Sequence, residues 1–106
     1  MTYEEVVKKA KQALKRLDIS AIKGHTAIEV DIEGEGEGAF YIELDDGMVK
    51  VEPYDYYDNN IRIRASANDL IDLLTGKLSA NAAVEAGQIR VEGGEEKLYE
   101  IMSFFR

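Results

Sequence analysis

The sequence predicts an α+β domain: a single layer of about five mostly antiparallel β-strands with helices covering one face. Three observations carry this reading. Apolar and polar residues alternate with period two in four runs between Thr26 and Ser66, the pattern of half-buried strands. Apolar residues recur instead at helical spacing over Tyr3–Leu17 and again after Ser66. The strongest turn signals, GEGEGEG and Asp46-Gly47, fall between the alternating runs.

The first element is a helix over Tyr3–Leu17. Val6, Ala10, Ala13, Leu14 and Leu17 form its apolar stripe, and Lys8, Lys9, Lys11, Lys15 and Arg16 lie off it. Thr2 stands at the N-cap, with Glu5 placed to complete a capping box. The basic run reads first as the solvated side of this helix.

The strands follow. Thr26 to Glu33 sets Ile28, Val30 and Ile32 against Ala27, Glu29, Asp31 and Glu33. Gly34, Gly36 and Gly38 mark a hairpin turn, and Ala39 to Leu44 then places Phe40, Ile42 and Leu44 inward. Asp46-Gly47 fits a primed turn, which needs positive φ. Met48 to Glu52 alternates Val49 and Val51 with Met48, Lys50 and Glu52. After Pro53–Asn60, Ile61, Ile63 and Ala65 oppose Arg62, Arg64 and Ser66.

The two faces of this sheet differ in kind. Glu29, Asp31, Glu33, Glu43 and Glu52 can sit across from Lys50, Arg62 and Arg64, which marks the face turned to water. Each exposed cross-strand pair contributes only a few tenths of a kcal/mol. The opposite face is a continuous apolar surface that needs a cover, and the remaining helices supply it. Ser66 or Asn68 can cap a helix over Asp69–Leu74, ended by Gly76. Ser79 to Glu85 reads as a second short helix capped by Ser79, and Gln88 to Glu92 as a fifth strand. Gly93-Gly94 turns into a last helix, Glu95–Phe105, with Leu98, Ile101, Met102 and Phe105 on one stripe. That stripe reads as plain core, and also as a movable lid over an apolar pocket.

Bulk properties set the class. The 106 residues are enough for one domain, 1–106, with one modest core. Hydrophobic and charged contents of 45% and 32% are those of a globular protein. No apolar run approaches the ~20 residues of a membrane span, and the charged start lacks the apolar region of a signal peptide. Cysteine is absent, so no disulfide framework or thiolate metal site is expected. A cytoplasmic location is the expectation. The net charge of −8 is uneven: residues 1–23 carry six Lys/Arg and three acids, residues 24–60 eleven acids and Lys50 alone, and residues 61–106 six basic and seven acidic side chains. Such a balance argues against a nucleic-acid partner, whose phosphates need a basic surface, and against stable membrane insertion.

Catalytic patterns are scarce. His25, the single histidine, lies beside Gly24 at the start of the first strand and reads as a strand-edge residue rather than a base. Ser20, Ser66, Ser79 and Ser103 lie at element boundaries, where caps and turns use a hydroxyl, and no G-x-S-x-G elbow occurs. Asp55, Asp58, Asn59 and Asn60 lack the spacing of a calcium loop and read as turn residues. The GEGEGEG tract departs from a dinucleotide fingerprint, and its acids would repel a pyrophosphate. Catalytic residues, metal and cofactor are therefore all read as none. Tyr54, Tyr56 and Tyr57 crowd one connection, where they can pack across a sheet edge, rim a pocket mouth or form a dimer contact.

One block does carry a resemblance. Ser66-Ala67-Asn68-Asp69-Leu70, Thr75-Gly76-Lys77-Leu78, Ala82-Ala83 and Gly87-Gln88-Ile89-Arg90-Val91-Glu92-Gly93 occur in that order. Together they resemble the C-terminal half of the sterol carrier protein 2 family, and the likeness extends loosely over nearly the whole chain. The resemblance implies a five-stranded sheet with helices on one face and an apolar tunnel between the layers. It also implies non-enzymatic binding of a fatty acid, acyl chain, isoprenoid or sterol-like lipid. The residues placed to line such a cavity are Ile28, Val30, Phe40, Ile42, Val51, Ile63, Leu70, Leu74, Leu78, Val84, Leu98, Ile101, Met102 and Phe105.

A permanently empty tunnel conflicts with stability. A void of ~300 Å³ costs on the order of 7 kcal/mol, comparable with the ~5–15 kcal/mol that holds a domain together. The space must therefore hold ligand, be wet and open, or be collapsed onto side chains such as Phe40, Met102 and Phe105. The rival expectation is a structural or protein-interaction domain with a collapsed cavity. Its homodimer or larger partner would meet the Tyr54–Tyr57 loop or the open sheet edge.

Overall fold

The computed structural model describes residues 1–16, 19–20, 22–54 and 58–103. Its first helix, α1 (Tyr3–Lys15), opens on the expected capping box: the Thr2 side chain accepts from the Glu5 N–H, and the Glu5 carboxylate accepts from the Thr2 N–H. Val6, Val7, Ala10, Ala13 and Leu14 are buried. The expected extension to Leu17 lies outside the described residues.

Five strands form one sheet: β1 (His25–Glu33), β2 (Gly38–Asp45), β3 (Met48–Glu52), β4 (Ile61–Ser66) and β5 (Arg90–Gly93), in the order β3-β2-β1-β4-β5. Three pairings are antiparallel, and β1 with β4 is parallel. In register, Ile28 faces Ile42 and Ile61, and Val30 faces Phe40 and Ile63. Because side chains alternate, this puts the Ile, Val and Phe residues of three strands on one face. The β2–β3 turn has Asp46 at φ 47° and Gly47 at φ 87°, as a type I′ hairpin requires.

Three helices follow β4. Ser66 ends β4 and also caps α2 (Ala67–Leu74), its Oγ accepting from the Asp69 N–H at 3.2 Å. The helix therefore starts two residues before the expected Asp69. It ends on Gly76 at φ 79°, with the Lys77 N–H donating to Asp72 O and the Gly76 N–H to Leu73 O, a Schellman closure. The next helix, α3 (Ala80–Glu85), closes the same way, through Gln88 N–H to Ala83 O and Gly87 N–H to Val84 O. Ser79 is at its N-cap but does not cap it; its hydroxyl donates to Asn81 Oδ1 instead. The fifth strand begins at Arg90 rather than Gln88, because the Gln88 and Ile89 N–H groups both point to Ala83 O in the α3 closure. The last helix, α4, spans Glu95–Met102, and the expected part beyond Ser103 lies outside the described residues.

The apolar sheet face and the helices enclose a single core in which Val6, Val30, Phe40, Ile61, Leu70 and Leu98 are fully buried. The outer face departs from expectation at its centre. Ala27 and Glu29 are 0% and 4% exposed, so this patch does not meet water. Glu29 keeps its charge company through Arg62, whose Nη2 lies 2.9 Å from Glu29 Oε2. Strand alternation says which way a side chain points, not what later covers it.

Candidate functional site

The candidate site lies where α2 ends and α3 meets α4. Here the α2 closure, the first turn of α3 and the inner side of α4 leave a groove of about 130 Å³. Leu73, Leu78, Ala80 and Met102 supply its apolar wall; Ser79, Asn81, Tyr99 and Ser103 supply polar groups. Burial, with the Glu95 and Glu85 carboxylates nearby, pushes the Tyr99 phenol above its ordinary 10.0, so it is neutral and able to donate.

The residues placed by sequence as cavity lining are brought together, but mostly as packed core. Ile28, Val30, Phe40, Ile42, Val51, Ile63, Leu70, Leu74, Leu98 and Ile101 are buried in the one cluster, and Val84 packs half-buried against it. Leu78 and Met102 alone of that set line the groove, and Phe105 lies outside the described residues. The groove also uses Leu73, Ala80 and Tyr99, which sequence reasoning missed. Leu73 was within reach: Leu70, Leu73 and Leu74 share one side of a helix by i, i+3, i+4 spacing.

The other expected features fall elsewhere. His25 is exposed at the start of the central strand, its Nε2 2.8 Å from Glu43 Oε2. Tyr54 is 64% exposed, and Tyr56 and Tyr57 lie outside the described residues, as does Asp55. Asn60 serves β1, accepting the Ala27 N–H on its side chain and donating its own N–H to Ala27 O, both at 2.8 Å. Among the described residues, no group of three or more His, Cys, Asp or Glu is placed to hold a metal ion, and no helix is long and apolar enough to cross a membrane.

A five-stranded sheet with one parallel pairing, four helices on its apolar face and a groove beneath the last of them define an α+β fold with a helical cover. The chain belongs to the SCP-2 sterol transfer family, whose model matches residues 4–106. Solved structures agree in fold. Sterol carrier protein-2 like-3 from Aedes aegypti is 19% identical, with a TM-score of 0.66 over 97% of this chain and 95% of that one. A palmitated sterol carrier protein-2 like-2 from Aedes aegypti is 17% identical, at 0.57 over 96% and 95%. The stereoselective inverting sec-alkylsulfatase Pisa1 from Pseudomonas sp. is 18% identical, at 0.74 over 84% of this chain. This chain spans only 14% of the alkylsulfatase. No curated protein matches the chain in sequence.

Proposed function

We propose that this protein binds a hydrophobic ligand, an acyl chain or a lipid of similar girth, without altering it chemically, and that the ligand enters at the groove under α4. The observation that carries this reading is the groove itself: an opening of mixed polar and apolar lining in which Leu73, Ala80 and Met102 are also members of the core. Family membership supports it, and so does the palmitated state of a neighbour of the same fold.

The groove is the mouth rather than the whole site. Ligand pockets run to ~300–1,000 Å³, well above about 130 Å³. Opening ~300 Å³ costs on the order of 7 kcal/mol if the space stays empty. Ten buried methylenes return about 8 kcal/mol. The space therefore opens only as the ligand fills it, with Leu78, Leu98, Ile101 and Met102 moving aside and the sheet side chains Phe40 and Ile42 forming the floor.

Titration of delipidated protein with a fluorescent fatty acid is the test. Saturable binding with a Kd on the order of micromolar is expected, together with changes in the amide spectra of α3 and α4. Asn81→Trp, a large side chain at an exposed position of the groove lining, is expected to weaken binding at least tenfold while leaving the melting temperature nearly unchanged. No saturable binding to wild type would overturn the proposal. The second reading, an interaction module, draws on the close packing of Phe40, Leu98 and Ile101 and on the occurrence of this fold as a small part of a far longer chain. An unaltered core in the presence of excess lipid would favour it.

A further inference from the structure

Among the described residues, the cationic side of α1 has no acidic counterpart in an ion pair. On the outer sheet face Arg62 and Arg64 lie 2.9–3.7 Å from carboxylates, Arg90 pairs with Glu33, and Lys97 on α4 pairs with Glu100. Lys8, Lys11 and Lys15 are exposed and make no ion pair among the described residues, in a chain that carries 21 acids. They are also not scattered. At positions i, i+3 and i+7 they line one side of a groove of about 400 Å³ between α1 and the end of β3. Tyr3, Val7 and Pro53 supply its apolar surface, and Glu4 stands at its N-terminal end. Beside it β3 is an edge strand of the sheet.

We propose that this groove docks an acidic peptide segment of a partner protein, one that carries an aliphatic or aromatic anchor residue. The charge complementarity is local and one-sided: residues 1–23 hold six Lys/Arg against three acids, while residues 24–60 hold eleven acids against one lysine. An acidic segment is thus attracted to α1, repelled by the acidic stretch of residues 24–60 and met by a near-balanced charge over residues 61–106, which biases where it lands. Such rim charges govern encounter rate and register, and an anchor buried on Val7 and Pro53 supplies holding energy. The volume matches one or two large side chains rather than a flat surface. The acidic side chains of the strands lie on the sheet face opposite α1, so the shape of the groove is what favours a peptide: a concave opening seats one protruding side chain, which a flat bilayer of anionic lipid does not present.

The experiment uses the full chain, isotope-labelled, titrated with a short synthetic peptide rich in glutamate that bears one leucine and one phenylalanine. Saturable amide shifts confined to Tyr3–Lys15 and to Glu52 and Tyr54, which flank Pro53, are expected, weakening as salt rises. The triple variant Lys8→Glu, Lys11→Glu, Lys15→Glu is expected to lose about tenfold in affinity, since each rim pair contributes little alone. It is expected to keep its circular-dichroism spectrum, because all three side chains are exposed. Reversing Lys23 and Lys77, equally exposed but away from the groove, is expected to leave binding unchanged. Replacing the peptide's leucine and phenylalanine by serine is expected to abolish it. No saturable shift up to ~2 mM peptide, a Kd range too weak for a partner site, would overturn the proposal. So would phosphatidylglycerol vesicles broadening the α1 signals more strongly than the peptide shifts them, which would assign the surface to a membrane.

Discussion

Glu29 is the residue whose place in the molecule departs furthest from its type. It is 4% exposed, and its carboxylate meets Arg62 at 2.9 Å. Asp31, on the same side of the same strand, is raised above 3.8 by burial first and by the Glu29 charge second, against the pull of Arg62 and Arg64. Removing the guanidinium leaves two close carboxylates with less compensation. Arg62→Met is therefore expected to cost about 1–3 kcal/mol, below the figure for a fully buried pair because a third of Arg62 meets water. Urea denaturation checks this, and Glu29→Gln combined with Arg62→Met should cost less than the two changes summed. His25 supplies a pH test. Its hydrogen bond to Glu43 holds its pKa above the ordinary 6.5, so the folded state binds the proton more tightly than the unfolded chain. The stabilisation is complete below pH 6.5 and is lost as pH rises through the folded value. An NMR titration of the ring is expected to show a midpoint above 6.5, brought down by Glu43→Gln.

Among the elements, the helices differ in how firmly their ends are tied. α1 opens on a reciprocal box between Thr2 and Glu5, whereas α3 and α4 have no side-chain cap. Thr2→Ala is expected to destabilise by about 1 kcal/mol, and Ser79→Ala by no more than a few tenths, since only the first removes a cap. Thermal melts of the two variants, run side by side, separate the cases. Sequence alone could not draw that distinction, because serine before a helix looks the same whether its hydroxyl turns to the backbone or to Asn81. The strands were more legible. Period-two alternation from Thr26 to Ser66 locates β1 to β4 within a residue at each end, because that pattern is local. Which strand returns to the free side of β1 is not local, and the parallel β1–β4 pairing has no mark in the sequence.

At the scale of the whole molecule, the apolar faces expected to enclose a ligand are closed onto each other. The Cα radius of gyration is 12.3 Å, against about 13 Å for a chain of this length. The residue pattern identified correctly what faces inward, as Ile28, Phe40, Leu70 and Leu98 attest. It could not tell lining from filling, because burial of a side chain is the same whether its neighbour is a ligand or another side chain. The groove under α4 was legible only in part, through Leu78 and Met102, since its other walls depend on how three helix ends meet in space.

The crossing of β4 to the far side of β1 also orders events in time. β1, β2 and β3 pair through short turns, whereas Ile28 must wait for Ile61 to return across the sheet. Contacts close in sequence cost little chain entropy and form early; distant ones come later. The meander is thus the expected folding nucleus, with α3 and α4 arriving last. In stopped-flow kinetics Ile42→Val is expected to slow refolding, while Ile101→Val speeds unfolding and leaves the refolding rate unchanged. The strand that completes the sheet makes the cover the last part to settle and the first to lift.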